Sequence, residues 1–320
     1  MESCEGRGTI LAAENFNPDR AAAKLRKAMK GIGSDDRAII DVIVTHSNSQ
    51  RQEIKRKYRA LYGRDLVEDL QNELGGHFEE LCIALLEPQV AFLAQCLHEA
   101  MKGLGTDEKC IIEILCTQPN REIEEIKAFY KQKYNQDLEE ALCEESSGYF
   151  RRLLRALLVC SEEDEGGQVD LERAERDAQR LFDGGVGRLG TDEEQFTRVL
   201  CGGNGPQIRA TVSAYERVAG HSLASAVRAE FSGDARDALL AIVHCTRDRS
   251  RFFATKLRES LRGPGTDDAT LRRILVSRSE IDLCDVREAY AALFGRDIAE
   301  DVAQDTSGDY RKALLRILQP

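Results

Sequence analysis

The chain has 320 residues, ten cysteines and a formal net charge of −11 at pH 7. That acidity, with no basic runs, argues against nucleic acid as a partner and against a bare anionic membrane, since like charges repel unless a cation intervenes. Hydrophobic residues make up 42% and charged residues 32%, ordinary for a soluble domain, and no apolar run approaches the roughly 20 residues of a membrane span.

The opening MESCEGRGTI lacks the apolar core of a signal peptide. No two cysteines form a C-x-x-C pair; the nearest are Cys110 and Cys116. Reduced thiols in a cytoplasmic protein are therefore expected, rather than a disulfide or zinc framework.

In chain order, Asn17-Pro18 reads as a helix cap followed by proline in the first turn. Ala21, Leu25, Ala28 and Met29 then share one helical face. A glycine loop interrupts the pattern in KAMKGIGSDD. Ile54, Tyr58, Leu61 and Tyr62 resume it, a GRDL turn reaches Leu66, and an acid follows at Glu73. The series then recurs. Its loops read EAMKGLGTDE, GGVGRLGTDE and ESLRGPGTDD.

Three landmarks test the repeat. Loop positions are Gly31, Gly103, Arg188 and Gly263. Turn positions are Leu66, Leu138, Leu223 and Ile298. The acids are Glu73, Glu145, Glu230 and Asp305. Successive members of every set are 72, 85 and 75 residues apart. Tyr58, Tyr130, Tyr215 and Tyr290 keep the same register and read as packing residues. No stretch shows sustained strand alternation. The fold expected is all-α, four homologous helical units. Their boundaries are set at 16–87, 88–159, 171–246 and 247–320, after a short segment 1–15 and around an acidic linker, 160–170, containing SEEDEGGQ.

Ser34, Thr106, Thr191 and Thr266 follow the glycines and read as helix N-caps, with acids in the first turn behind them. One reading of the loop is a plain helix–helix turn in which glycine supplies positive φ. The other joins it to the acid 42 residues later. A glycine-rich turn can aim several carbonyls at one point, and one bidentate carboxylate then makes a hard oxygen site suited to Ca²⁺. A single carboxylate implies weak affinity, on the order of 10⁻⁴ M alone, and leaves positions for an outside oxygen. P-loop, dinucleotide, EF-hand and H-E-x-x-H patterns are all absent. No local nucleophile–base arrangement argues for an enzyme.

The loops MKGIGS, MKGLGT and LRGPGT resemble the calcium loop of the annexin family, K/R-G-x-G-T with an acid 42 residues after the first glycine. VSRSEIDL and DTSGDYRKALL resemble its fourth repeat. The resemblance runs from about Asn15 to Leu318. It implies four five-helix repeats arranged as a slightly curved disc, with Ca²⁺ held in loops of the convex face. The first site would use Met29, Gly31, Gly33 and Glu73. The second would use Met101, Gly103, Gly105 and Glu145, and the fourth Leu261, Gly263, Gly265 and Asp305. The third copy departs from the pattern, with Arg188 in place of the first glycine, and is assigned Gly185, Arg188, Gly190 and Glu230. The resemblance further implies a non-enzymatic protein that is cytoplasmic and becomes peripheral on membranes when calcium rises. It would bind anionic phospholipid of the phosphatidylserine type and assemble laterally there, serving membrane organisation or trafficking. Lys30, Lys102, Arg188 and Arg262 are placed to touch phosphates or to stay solvated, and Ile32, Leu104 and Leu189 to dip into the interface or pack inward. The alternative is a helical-repeat scaffold for protein partners with degenerate calcium loops.

Overall fold

The computed structural model describes residues 6–31, 33–103, 105–159, 168–185, 190–263 and 265–319. Among them lie twenty α-helices and no strand. The first five are α1 (Pro18–Ala28), α2 (Asp36–Ile43), α3 (Asn48–Tyr62), α4 (Leu66–Glu73) and α5 (Gly76–Leu86). Next come α6 (Gln89–Ala100), α7 (Glu108–Thr117), α8 (Asn120–Tyr134), α9 (Leu138–Glu144) and α10 (Gly148–Leu158). The third set is α11 (Leu171–Gly184), α12 (Glu193–Cys201), α13 (Gly205–Ala219), α14 (Leu223–Glu230) and α15 (Gly233–Arg247). The fourth is α16 (Arg249–Ser260), α17 (Asp268–Arg278), α18 (Leu283–Phe294), α19 (Ile298–Asp305) and α20 (Gly308–Ile317). All but one residue of the acidic SEEDEGGQ stretch lies outside the described residues.

Local chemistry sets the helix ends. Asn17 Oδ1 accepts from the Arg20 N–H at 3.0 Å, with Pro18 opening α1. The caps after the glycine loops differ from expectation. They are Asp35, Asp107, Asp192 and Asp267, one residue beyond Ser34, Thr106, Thr191 and Thr266. Each carboxylate accepts the N–H three residues on, and a charged acceptor makes the stronger bond there. The hydroxyl one residue earlier is thereby released for other work.

The turn between the third and fourth helices of each set is left-handed, at Gly63, Asn135, Gly220 and Gly295. Asn135 holds φ 53° in a register otherwise filled by glycine, a conformation asparagine tolerates better than most residues. The recurrent tyrosines pack as expected: Tyr58, Tyr130, Tyr215 and Tyr290 are all buried. Leu25 is completely buried on α1, worth about 1.5–3 kcal/mol for such a side chain.

The chain divides into two compact units, residues 1–92 with 253–320, and residues 93–252. In the first, α1 packs on α3, and α5 lies against α17 and α20. In the second, α7 packs on α15, α11 on α13 and α10 on α12. The segment before α1 is tied into the first unit. Arg7 Nη2 bonds Asp285 Oδ1 at 2.7 Å and Glu288 Oε2 at 2.6 Å, and the Thr9 N–H donates to the Ser279 carbonyl at 2.7 Å. A Cβ on Gly8 would sit 2.7 Å from the Glu280 backbone, so only glycine permits that approach. Cys82, Cys96, Cys110, Cys116, Cys143, Cys201, Cys245 and Cys284 carry free thiols. Burial pushes the Cys201 thiol up to about 12, so it stays protonated at neutral pH. No described helix is long and apolar enough to cross a membrane.

Candidate metal centre

Each glycine loop is pinned at its base. The N–H of Asp35 donates to the Ala28 carbonyl at 2.8 Å, Asp107 to Ala100 at 2.8 Å, Asp192 to Gly184 at 2.7 Å and Asp267 to Ser260 at 2.9 Å. The capping aspartate thus starts one helix with its side chain and ties back to the previous helix with its backbone. The third pin spans one residue more than the others.

Between the pins the backbone takes conformations reserved for glycine. Gly31 and Gly33 have φ of 123° and 79°, Gly103 and Gly105 of 110° and 96°, and Gly263 and Gly265 of 129° and 100°. Gly190 has φ 85° in the third loop. No heavy atom lies within 4 Å of a Cβ built on any of these seven. Space therefore does not require glycine there; backbone angle does.

Met29 and Leu261 are buried, each directly following the first helix of its copy, and Met101 is half-buried in the same place. Gly185 takes that place in the third copy, directly after the pinned Gly184, but with φ −117° and ψ −105°. Arg188 and Leu189 lie outside the described residues, as do Ile32 and Leu104. Lys30, Lys102 and Arg262 are exposed beside their loops. Among the described residues, none of the carbonyls of Met29, Gly31, Gly33, Met101, Gly103, Gly105, Gly185, Gly190, Leu261, Gly263 and Gly265 accepts a backbone hydrogen bond.

The acids sit at helix ends. Glu73, Glu230 and Asp305 are the last residues of α4, α14 and α19, and Glu145 is the C-cap of α9. Glu73, Glu145 and Asp305 are exposed, and Glu230 is half-buried. Three of them reach the loop 42 residues upstream. Thr106 Oγ1 donates to Glu145 Oε2 at 3.0 Å, Thr191 Oγ1 donates to Glu230 Oε2, and Thr266 Oγ1 donates to the Asp305 carbonyl at 3.1 Å. The first copy differs: Ser34 Oγ donates instead to Asp36 Oδ1 at 2.5 Å.

Sequence reasoning missed these hydroxyl bridges because it spent the hydroxyls on capping. A signal was present, since each bridge spans 39 residues and Ser34 stands 39 before Glu73. It also missed two arginines that fix the turn behind the acid. Arg151 Nε donates to the Ser146 carbonyl at 2.7 Å, and Arg311 Nε to that of Thr306 at 2.5 Å.

No group of three or more His, Cys, Asp or Glu side chains among the described residues is arranged to hold a metal. A cation at these loops would draw most donors from backbone carbonyls plus one carboxylate. That set is all oxygen and suits a hard ion such as Ca²⁺ rather than zinc or copper.

Comparison with known proteins agrees with the register. The family model described as Annexin matches residues 20–85, 92–157, 176–242 and 252–317. The chain belongs to the annexin family. It is similar to human annexin A11, 45% identical over 311 residues that cover 97% of this chain and 61% of that relative. This annexin thus spans about three-fifths of the length of that relative. Among solved structures, annexin III matches with a TM-score of 0.96 at 40% identity, covering 100% of this chain and 99% of that one. Calcium-bound annexin (Sm)1 matches at 0.89 and 32% identity, covering 98% and 93%. Annexins are calcium- and phospholipid-binding proteins without catalytic activity, and the all-α four-copy fold is theirs.

Proposed function

We propose that this annexin binds anionic phospholipid in a Ca²⁺-dependent manner through four glycine-loop sites, one in each of the repeats bounded at 16–87, 88–159, 171–246 and 247–320. The observation that carries the reading is the meeting of loop and acid: Thr106 and Thr191 each hydrogen-bond the carboxylate that the 42-residue spacing singles out. The donors are Met29, Gly31, Gly33 and Glu73 in the first site, and Met101, Gly103, Gly105 and Glu145 in the second. Gly185, Arg188, Gly190 and Glu230 serve the third, and Leu261, Gly263, Gly265 and Asp305 the fourth. That annexin (Sm)1 has a calcium-bound structure supports the choice of ion.

Bound calcium supplies the positive charge that lets a chain of net charge −11 accept a lipid phosphate. The residues do the rest. Loop carbonyls and one acid leave coordination positions open, and a headgroup oxygen of the phosphatidylserine type fills them. Lipid and ion therefore raise each other's affinity by linkage. Several weak sites on one molecule add avidity. Exposed Lys30, Lys102 and Arg262 stand beside the loops to meet phosphates. The protein would work in the cytoplasm, moving to membranes as calcium rises, in membrane organisation or trafficking, and assembling laterally once bound.

Co-sedimentation with phosphatidylserine vesicles tests this. Pelleting should require calcium and reverse with chelator. Pelleting that ignores chelator, or survives joint neutralisation of Glu73, Glu145, Glu230 and Asp305, would refute it.

A further inference from the structure

Resting on that reading, we infer that the loop threonines 106 and 191 are positioning residues that hold the acid of their site in a metal-ready orientation, and that the first copy lacks this device. The hydroxyl of Thr106 donates to Glu145 Oε2 at 3.0 Å, and that of Thr191 donates to Glu230 Oε2. Glu145 is an exposed side chain. Free in water, such a chain samples many rotamers, and ordering it on metal binding costs free energy. A hydroxyl fixed on the loop removes part of that cost beforehand. It leaves lone pairs on both carboxylate oxygens, because each oxygen can accept more than once. The threonine can keep donating while the carboxylate serves a cation. Outer partners of this kind orient ligating carboxylates at metal centres in general.

The capping arrangement explains why the hydroxyl is free. Asp107 and Asp192 each accept the helix N–H three residues on, the capping role the threonines would otherwise fill. In the first copy Asp35 caps in the same way, yet Ser34 turns to Asp36 at 2.5 Å. The fourth copy is intermediate, with Thr266 reaching the backbone carbonyl of Asp305 rather than its carboxylate. Four loops of one pattern thus divide by where one hydroxyl points.

The test isolates single sites. In a protein keeping only the second acid (Glu73→Gln, Glu230→Gln, Asp305→Asn), Ca²⁺ is titrated calorimetrically with vesicles of phosphatidylserine and phosphatidylcholine. Thr106→Val should weaken the apparent calcium affinity by about tenfold, the lower end for loss of such a partner. Thr106→Ser should restore it. Melting in chelator should be the same for all three, which separates positioning from folding. In the matching protein keeping only Glu73, Ser34→Ala should leave the affinity within about twofold, since no carboxylate partner of the later helix is lost. Equal affinities for Thr106→Val and its parent, equal losses for valine and serine, or a loss from Ser34→Ala matching that from Thr106→Val would overturn the inference. If the single-site parents bind no Ca²⁺ at all, the functional reading itself fails and takes the inference with it.

Discussion

The first and second loops share a backbone and differ in one hydrogen bond. Both are pinned at 2.8 Å by a capping aspartate, and both bend through two glycines of positive φ. In the second, Thr106 reaches across to Glu145; in the first, Ser34 stays within its own turn on Asp36. The difference teaches that building the carbonyl cradle and orienting the acid are separable tasks. Two positive-φ glycines and a capping aspartate shape the first, second and fourth loops. A hydroxyl reaches the carboxylate of the later acid only in the second and third.

Removing the acids breaks the comparison most severely. Glu73→Gln, Glu145→Gln, Glu230→Gln and Asp305→Asn together should abolish calcium-dependent pelleting. Each alone should raise the calcium requirement, with Glu145→Gln costing more than Glu73→Gln. Ligand charge count is what sets affinity in oxygen sites across about three orders of magnitude or more.

Glycine substitutions should erase the contrast. Gly31→Ala and Gly103→Ala force alanine to φ of 123° and 110°, at a cost of about 1–3 kcal/mol in either loop. Single-site calcium titrations should fall by similar factors in both. A large difference between the two would mean that the cradles are not equivalent.

Caps come next. Asp35→Ala and Asp107→Ala each remove a side-chain acceptor at a helix start, worth about 1 kcal/mol. Thermal melts should drop by about 2–4 °C in both cases. Asp107→Ala should in addition raise the calcium requirement of the second site if Thr106 turns back to cap the helix.

The smallest effect is pH-dependent and separates the two units. In the first unit, Arg64 and the Tyr58 hydroxyl hold Asp69 below the usual carboxylate range, and Arg287 does the same for Asp297. Alanine fills the Asp69 register in the second and third copies, at Ala141 and Ala226. A depressed carboxyl contributes stability that is present above its unfolded value of about 4 and is lost as pH falls through the lower folded value. Hydrogen exchange at pH 3 against pH 6 should therefore show protection lost sooner in residues 6–92 and 253–319 than in 93–252. Equal loss in both units would remove this contrast.

Much of the fold was legible because it repeats. The register of Gly31, Leu66 and Glu73 with their three sets of counterparts located loops, turns and helix ends without any coordinates. The tyrosines were readable as core because they recur among apolar neighbours at helical spacing. What stayed hidden was side-chain choice within the pattern. Ser34 and Asp35 can both cap a helix, and sequence alone favoured the first; the geometry gives the cap to the carboxylate. Asp69 and Asp301, which the repeat landmarks did not single out, are both buried against tyrosines, with Tyr58 donating to Asp69 at 2.6 Å and Tyr290 donating to Asp301. Burial of a charge depends on partners that lie elsewhere in the chain, such as Arg26 for Asp69 and Arg258 for Asp301. Periodicity carries no record of them.

The central claim is that glycine-loop carbonyls share a cation with the acid 42 residues onward. Crystals of the protein grown in calcium test it most directly at the second loop. The claim predicts an ion about 2.3–2.6 Å from the carbonyl oxygens of Met101, Gly103 and Gly105 and from both carboxylate oxygens of Glu145. A loop without an ion at saturating calcium, with Glu145 directed away from it, would contradict the claim.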